Sequence, residues 1–140
     1  MTDHIDTLID IVTAQTVDST ASRALYALVD RLQPEAACLL IWDDKLARYI
    51  VGDTWIDATA SHQPANFRRR ALRLAQSAHN DNSDNARCSE PDILYHPLNE
   101  SEHHIGAVLA LGVDQIPNDP AYDQMARVTA RALYTISRLE

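Results

Sequence analysis

The chain predicts an α+β fold, an antiparallel sheet flanked by helices, and three observations carry that reading. Two runs, Ala36–Trp42 and His104–Val113, are apolar at nearly every position, the mark of strands covered on both faces. Each sits beside a more amphipathic run across a short polar link, which is hairpin patterning. Apolar residues at helical spacing stand before, between and after the two hairpins.

The elements follow in order. From Asp3 to about Thr16, Ile5, Leu8, Ile9 and Val12 recur at helical spacing. Asp18-Ser19-Thr20 offers a fresh N-cap, and a second helix to about Leu32 follows, with Ala21, Leu25, Leu28, Val29 and Leu32 as its stripe. Ala36–Trp42 is a central strand, Asp43-Asp44-Lys45 a turn, and Leu46–Val51 a returning strand whose Arg48 places it nearer an edge. Gly52–Pro64 is a long connection holding Trp55 and His62. From Asn66 a third helix buries Phe67, Ala71, Leu74, Ala75 and Ala78 on one face.

The Asn-, Asp- and Ser-rich stretch His79–Pro91 favours loop, with room for a short strand at Ala86–Ser89. The second hairpin spans Asp92–Val113. Reading Asn99–Glu102 as its link pairs Leu98 with His103, His96 with Ile105 and Tyr95 with Gly106. That register sets His96 and His103 on one face and His104 on the other. Asp119 caps a last helix with Pro120 at its first position, where the missing N–H costs nothing.

At 140 residues one domain, 1–140, is expected, long enough to bury roughly 68–70% of its unfolded surface. The net charge of −8 argues against nucleic acid and anionic membranes as partners. Cys38 and Cys88 are too few for a disulfide framework or zinc site. No run reaches the ~20 apolar residues of a membrane span, and the acidic start is unlike a signal peptide, so a cytoplasmic location is expected.

Three local patterns in this order resemble the GAF domain, a small-molecule sensing and dimerisation module. They are A-C-L-L-I-W-D-D-K-L-A-R-Y-I-V after a leading helix, I-L-Y-H-P-L, and H-I-G-A-V-L-A-L-G-V followed by the last helix. The resemblance spans about Thr7 to Ser137; PAS- and roadblock-like folds share the architecture and stand as alternatives. It implies a sheet of about five or six strands. The N- and C-terminal helices (3–33 and 119–139) would pack on one face, with the third helix and long loops over the other. Ligands of the family bind under that third helix, and its members regulate histidine kinases, cyclases, phosphatases or transcription factors.

The departures narrow this. N-K-F-D-E, the signature of cyclic-nucleotide-binding members, is absent, as is the G-V-C-G pattern of free methionine sulfoxide reductases. No Cys-His pair stands near the third helix, which argues against a covalent bilin; haem stays open as a ligand.

Trp55, Phe67, Arg70, His96 and His103 are the ligand-binding candidates, aromatic and cationic groups near the expected pocket. The set Arg68, Arg69, Arg70 and Arg73 reads either as an anion site or as a solvated helix face, with Arg69 and Arg73 wanting an acidic neighbour. His96, His103 and His104 lack any metal-ligand spacing, so no metal is expected. Cys38 reads as a core residue, Cys88 as an exposed thiol beside Arg87. No carboxylate stands in an apolar run and no nucleophile elbow or phosphate loop exists, so no catalytic residue is assigned. Ile5, Leu8, Val12, Val128, Ile136 and Leu139 form the expected seam of a homodimer, or else close the monomer's own core. The function predicted is a sensor or regulatory domain, binding a small ligand or relaying a signal through dimerisation; a ligand-free interaction module is the alternative.

Overall fold

Thr16 opens the first fully described helix: extended at φ −131°, its hydroxyl accepts from the Ser19 amide at 3.0 Å, while the Ser19 hydroxyl faces the Thr16 amide. This capping box lies two residues before the expected cap. The computed structural model describes residues 8, 11, 16–59, 63–80, 92–113 and 116–139, the side chains of 137–139 excepted. Its elements are α1 (Val17–Leu32), β1 (Ala36–Asp43), β2 (Arg48–Ile56), α2 (Pro64–Asn80), β3 (Ile93–Glu100), β4 (His103–Leu111) and α3 (Pro120–Leu139). Leu8 and Ile11 are helical and pack into the same layer as α1; Ile5 and Val12 lie outside the described residues.

The strands form one antiparallel sheet in the order β2-β1-β4-β3, so the two continuously apolar runs are its central strands. Four strands stand among the described residues rather than five or six, and the short strand expected at Ala86–Ser89 falls outside them. The α+β architecture agrees with expectation. On one face α1 packs against α3 and both cover Ala37, Leu39, Leu94, Val108 and Ala110. On the other, Phe67, Ala71, Leu74, Ala75 and Ala78 of α2 cover Cys38, Leu40, Tyr95 and Leu109. Burying each Leu or Phe side chain in these layers contributes roughly 1.5–3 kcal/mol.

Two β-bulges shape the sheet and explain two departures from the sequence reading. In the β1–β2 ladder, Leu39 pairs with Asp53 and Leu40 with Val51, which leaves Gly52 as the extra residue. The strand continues through the bulge to Ile56 where a loop was expected, and the bulge turns Trp55 toward the α1–α3 layer. In the β3–β4 ladder, Leu98 pairs with Gly106 and Asn99 with His104, leaving Ile105 extra. The hairpin turn is Ser101-Glu102, with Ser101 left-handed at φ 55°, not the four-residue link expected. Tyr95 therefore opposes Leu109 and His96 opposes Val108.

The β1–β4 ladder ends at the pair Ile41–Gly106, before Trp42 and Asp43 on one strand and His103, His104 and Ile105 on the other. A Cβ on Gly106 would stand 2.1 Å from the Leu40 carbonyl oxygen, so the strands close on each other there to a distance only glycine permits. Beyond it the two hairpins part. Both bulges flank this point, and bulges increase local twist, which carries the hairpin ends away from one another.

Candidate functional site

The parted hairpins leave a cleft of about 460 Å³, inside the ~300–1,000 Å³ range of small-molecule pockets. It runs through the plane of the sheet. Toward α2 it is lined by Trp42, His79 and His104; toward α1 and α3 by Ile41, Ile105, Leu133 and Tyr134. Asp44, Glu102 and His103, from the turn ends of the two hairpins, complete its rim.

The aromatic wall toward α2 is built by β1, α2 and β4 and backed by β2. Trp42, next to last in β1, meets Tyr49 of β2 edge-on, with ring centroids 5.0 Å apart. His79, in the last turn of α2, lies against Trp42 at 4.1 Å and stacks on His104 at 4.9 Å. On the opposite side His103 stacks on Tyr134 of α3 at 5.0 Å. Asp44 accepts from the Trp42 indole N–H at 3.4 Å.

A chain of hydrogen bonds crosses the sheet behind this wall. His104 Nδ1 lies 2.8 Å from Asn99 Oδ1, its Nε2 lies 2.6 Å from the Tyr49 hydroxyl, and that hydroxyl lies 3.1 Å from the hydroxyl of Tyr95. A neutral imidazole satisfies both of its contacts by donating Nδ1–H to Asn99 and accepting at Nε2 from Tyr49. The Tyr49 oxygen then accepts from Tyr95. Burial, with a smaller contribution from neighbouring His79, lowers the His104 pKa to about 4, in keeping with the neutral form. Burial likewise holds Tyr49 protonated, its pKa raised above the ordinary value. Both ring nitrogens of His104 are thus engaged by protein.

The sheet divides the five ligand-binding candidates. Trp55, His96 and His103 face the α1–α3 side, whereas Phe67 and Arg70 belong to α2 on the other. Trp55 packs on the core of the first layer, and Phe67 is buried in the second. Arg70 donates to both oxygens of Asp92 at 3.0 and 3.1 Å, while Arg69 donates to Asn66 at 3.2 Å. His96 Nδ1 meets the Tyr122 hydroxyl at 2.8 Å between β3 and α3, and burial lowers its pKa. Of the five, only His103 reaches the cleft. The expected separation of His96 and His103 from His104 is observed, through a different register.

Trp42 and Tyr134 escaped the sequence reading, and His79, read there as the start of a loop, lies in the last turn of α2. Trp42 looked like one more apolar residue of a central strand, and its one signal was its position at the strand's end beside a turn. Cys38 is a free buried thiol with its pKa raised to about 11 by burial; Cys88 lies outside the described residues. The expected dimer seam is only partly in view. Leu8 and Val128 pack against the monomer's core, Ile136 is half-buried, and the Leu139 side chain lies outside the description. Among the described residues no group of three or more His, Cys, Asp and Glu is arranged to hold a metal ion, and no helix is long and apolar enough to cross a membrane.

No protein-family model matches the sequence, and no curated protein matches it either. Solved structures do match. The GAF domain of a phosphoenolpyruvate-protein phosphotransferase from Acinetobacter is 11% identical with a TM-score of 0.58, over 100% of this chain and 98% of that one. The GAF domain of the potassium sensor histidine kinase KdpD from Escherichia coli is 14% identical with a TM-score of 0.59, over 97% and 94%. That of a putative sensor histidine kinase from Pseudomonas syringae pv. tomato is 14% identical with a TM-score of 0.52, over 96% and 84%. The chain has the GAF fold.

Proposed function

On the strength of this fold, we propose that this protein is a non-catalytic sensory or regulatory module that takes a small molecule into the cleft between its two hairpins. The observation that carries the reading is the cleft itself, an aromatic-walled space of about 460 Å³ reached from both hairpin turns. Aromatic walls with a few polar groups are the usual make-up of small-molecule sites. The similar domains named above come from sensor kinases and a phosphotransferase, so a kinase or other signalling enzyme, in cis or in trans, is the partner class this reading assigns. A cytoplasmic setting suits the unpaired Cys38 thiol.

The test is a thermal-shift screen of metabolites, with haem and other tetrapyrroles included. A true ligand at 100 times its dissociation constant stabilises the fold by about 2.7 kcal/mol. Trp42→Ala abolishes that shift. A hit that stabilises the Trp42→Ala variant equally well places binding elsewhere and sinks the cleft reading.

A second reading, homodimerisation through α3, draws on one specific observation. The core-facing side of α3 is Tyr122, Met125, Ala126, Thr129, Ala130 and Leu133, while Val128, Ala132 and Ile136 remain half-buried along a groove of about 210 Å³. Light scattering at high micromolar concentration decides it. A monomer there removes dimerisation from the proposal.

A further inference from the structure

Resting on the cleft as a ligand site, the chemistry of its lining points to a particular class of occupant. Aspartate and glutamate are the only side chains with a fixed charge among the described lining residues: Asp44 on one hairpin turn, Glu102 on the other. No lysine or arginine stands among the described lining residues. The cleft is also lined by electron-rich rings. Trp42 and Tyr134 present π-systems that attract a cation, an effect of about 0.5–1 kcal/mol at exposed sites and about 2 or more when desolvated. His104 adds no competing donor, because Tyr49 and Asn99 already occupy its two nitrogens. Ile41, Ile105 and Leu133 supply apolar surface for the body of the ligand.

We infer that the cleft takes an organic cation, a protonated amine or quaternary ammonium carried on an apolar or aromatic body, with its charge between Asp44 and Glu102 and against the Trp42 and Tyr134 rings. Among the described lining residues an anionic occupant would meet two carboxylates and no fixed positive charge. The four arginines of α2, the obvious anion-binding feature of the sequence, lie outside this lining.

The experiment uses the whole chain at pH 8 and three probes of similar size: benzyltrimethylammonium, benzyl alcohol and benzoate. Each is titrated by calorimetry, and the Trp42 indole N–H resonance is followed by NMR. The expected result is that benzyltrimethylammonium moves the Trp42 resonance and binds at least tenfold more tightly than benzyl alcohol, with benzoate weakest. In the double variant Asp44→Asn, Glu102→Gln, built on two exposed turn residues, that preference falls to less than threefold. Equal binding of the cation and the alcohol, or a preference for benzoate, overturns the cation inference and leaves a ligand-binding cleft standing. Binding of none of the three also overturns the inference, whereas the cleft reading is judged by the metabolite screen and the Trp42→Ala variant. A cation preference that survives the double variant overturns the assigned role of the two carboxylates.

Discussion

The hydroxyl of Tyr49 stands 2.6 Å from Nε2 of His104, a contact that reaches from edge strand β2 to central strand β4 where the two hairpins no longer pair. Through Tyr95 the same hydroxyl reaches β3, so one oxygen straps both hairpins together at the cleft. Tyr49→Phe leaves His104 Nε2 short of a donor and removes the Tyr49 contact of the Tyr95 hydroxyl. The expected loss is about 1–3 kcal/mol in urea unfolding. The His104 imidazole should also titrate at higher pH, as followed by NMR, because its neutral form loses an accepted hydrogen bond. Unchanged stability together with an unchanged titration would dismiss the strap.

Stability should fall in mild acid through His96 and His104. Both have pKa values below the ordinary imidazole value, His104 at about 4, so the unfolded chain binds more protons than the fold in that range. Their contribution is complete above about pH 6.5 and is lost as pH falls from there toward the folded values. Discounted for its partial exposure, His104 accounts for about 1–2 kcal/mol between pH 6.5 and 4. Urea midpoints at pH 7.5 and 5 measure the total, and His104→Gln should flatten the slope. A wild-type midpoint that holds constant or rises toward pH 5 contradicts the assignment.

Gly106→Ala should be the costliest small substitution in the sheet. Its new methyl would meet the Leu40 carbonyl at 2.1 Å, backbone that cannot swing away, whereas at Gly52 the nearest atoms stand 3.0 Å off. About 3 kcal/mol or more is expected at Gly106 and about 1 kcal/mol at Gly52, read from denaturant unfolding. Equal effects at the two positions would contradict the close approach of β1 and β4.

Arg70 Nη2 meets both carboxylate oxygens of Asp92 in a surface pair, with 32% and 55% of the side-chain areas exposed. Asp92→Asn should therefore cost less than about 1 kcal/mol and grow weaker in effect at high salt. A loss above 2 kcal/mol would mean that this contact anchors the start of β3 rather than decorating it.

Much of the fold was legible in the sequence because binary patterning is dense here. The five-residue stripe of α1, the five-residue face of α2 and the two fully apolar central strands all appear where spacing put them. The errors cluster at the bulges. A strict two-residue repeat through Gly52 hides the continuation of β2, and in the second hairpin the two-residue turn at Ser101-Glu102 and the extra residue at Ile105 together shift the register; a bulge is a property of paired strands and not of one strand's pattern. The cleft was hidden for the same reason. Trp42, His79, His104 and Tyr134 come from four elements, and only the end of the β1–β4 ladder brings them to one place.

The extra residue at Ile105 makes the second hairpin respond unequally to gain and loss of length. Counting along β4 from Val108, strict alternation would turn His104 toward α3 and His103 toward α2; the bulge reverses that phase, so His104 meets Tyr49 and His103 meets Tyr134. Deleting Ile105 restores the regular repeat but leaves each histidine on its present side. Inserting a residue after Leu98 gives Ile105 a partner, straightens the ladder and exchanges the two. The wiring of this end of the molecule therefore tolerates a shorter β4 and is inverted by a longer β3.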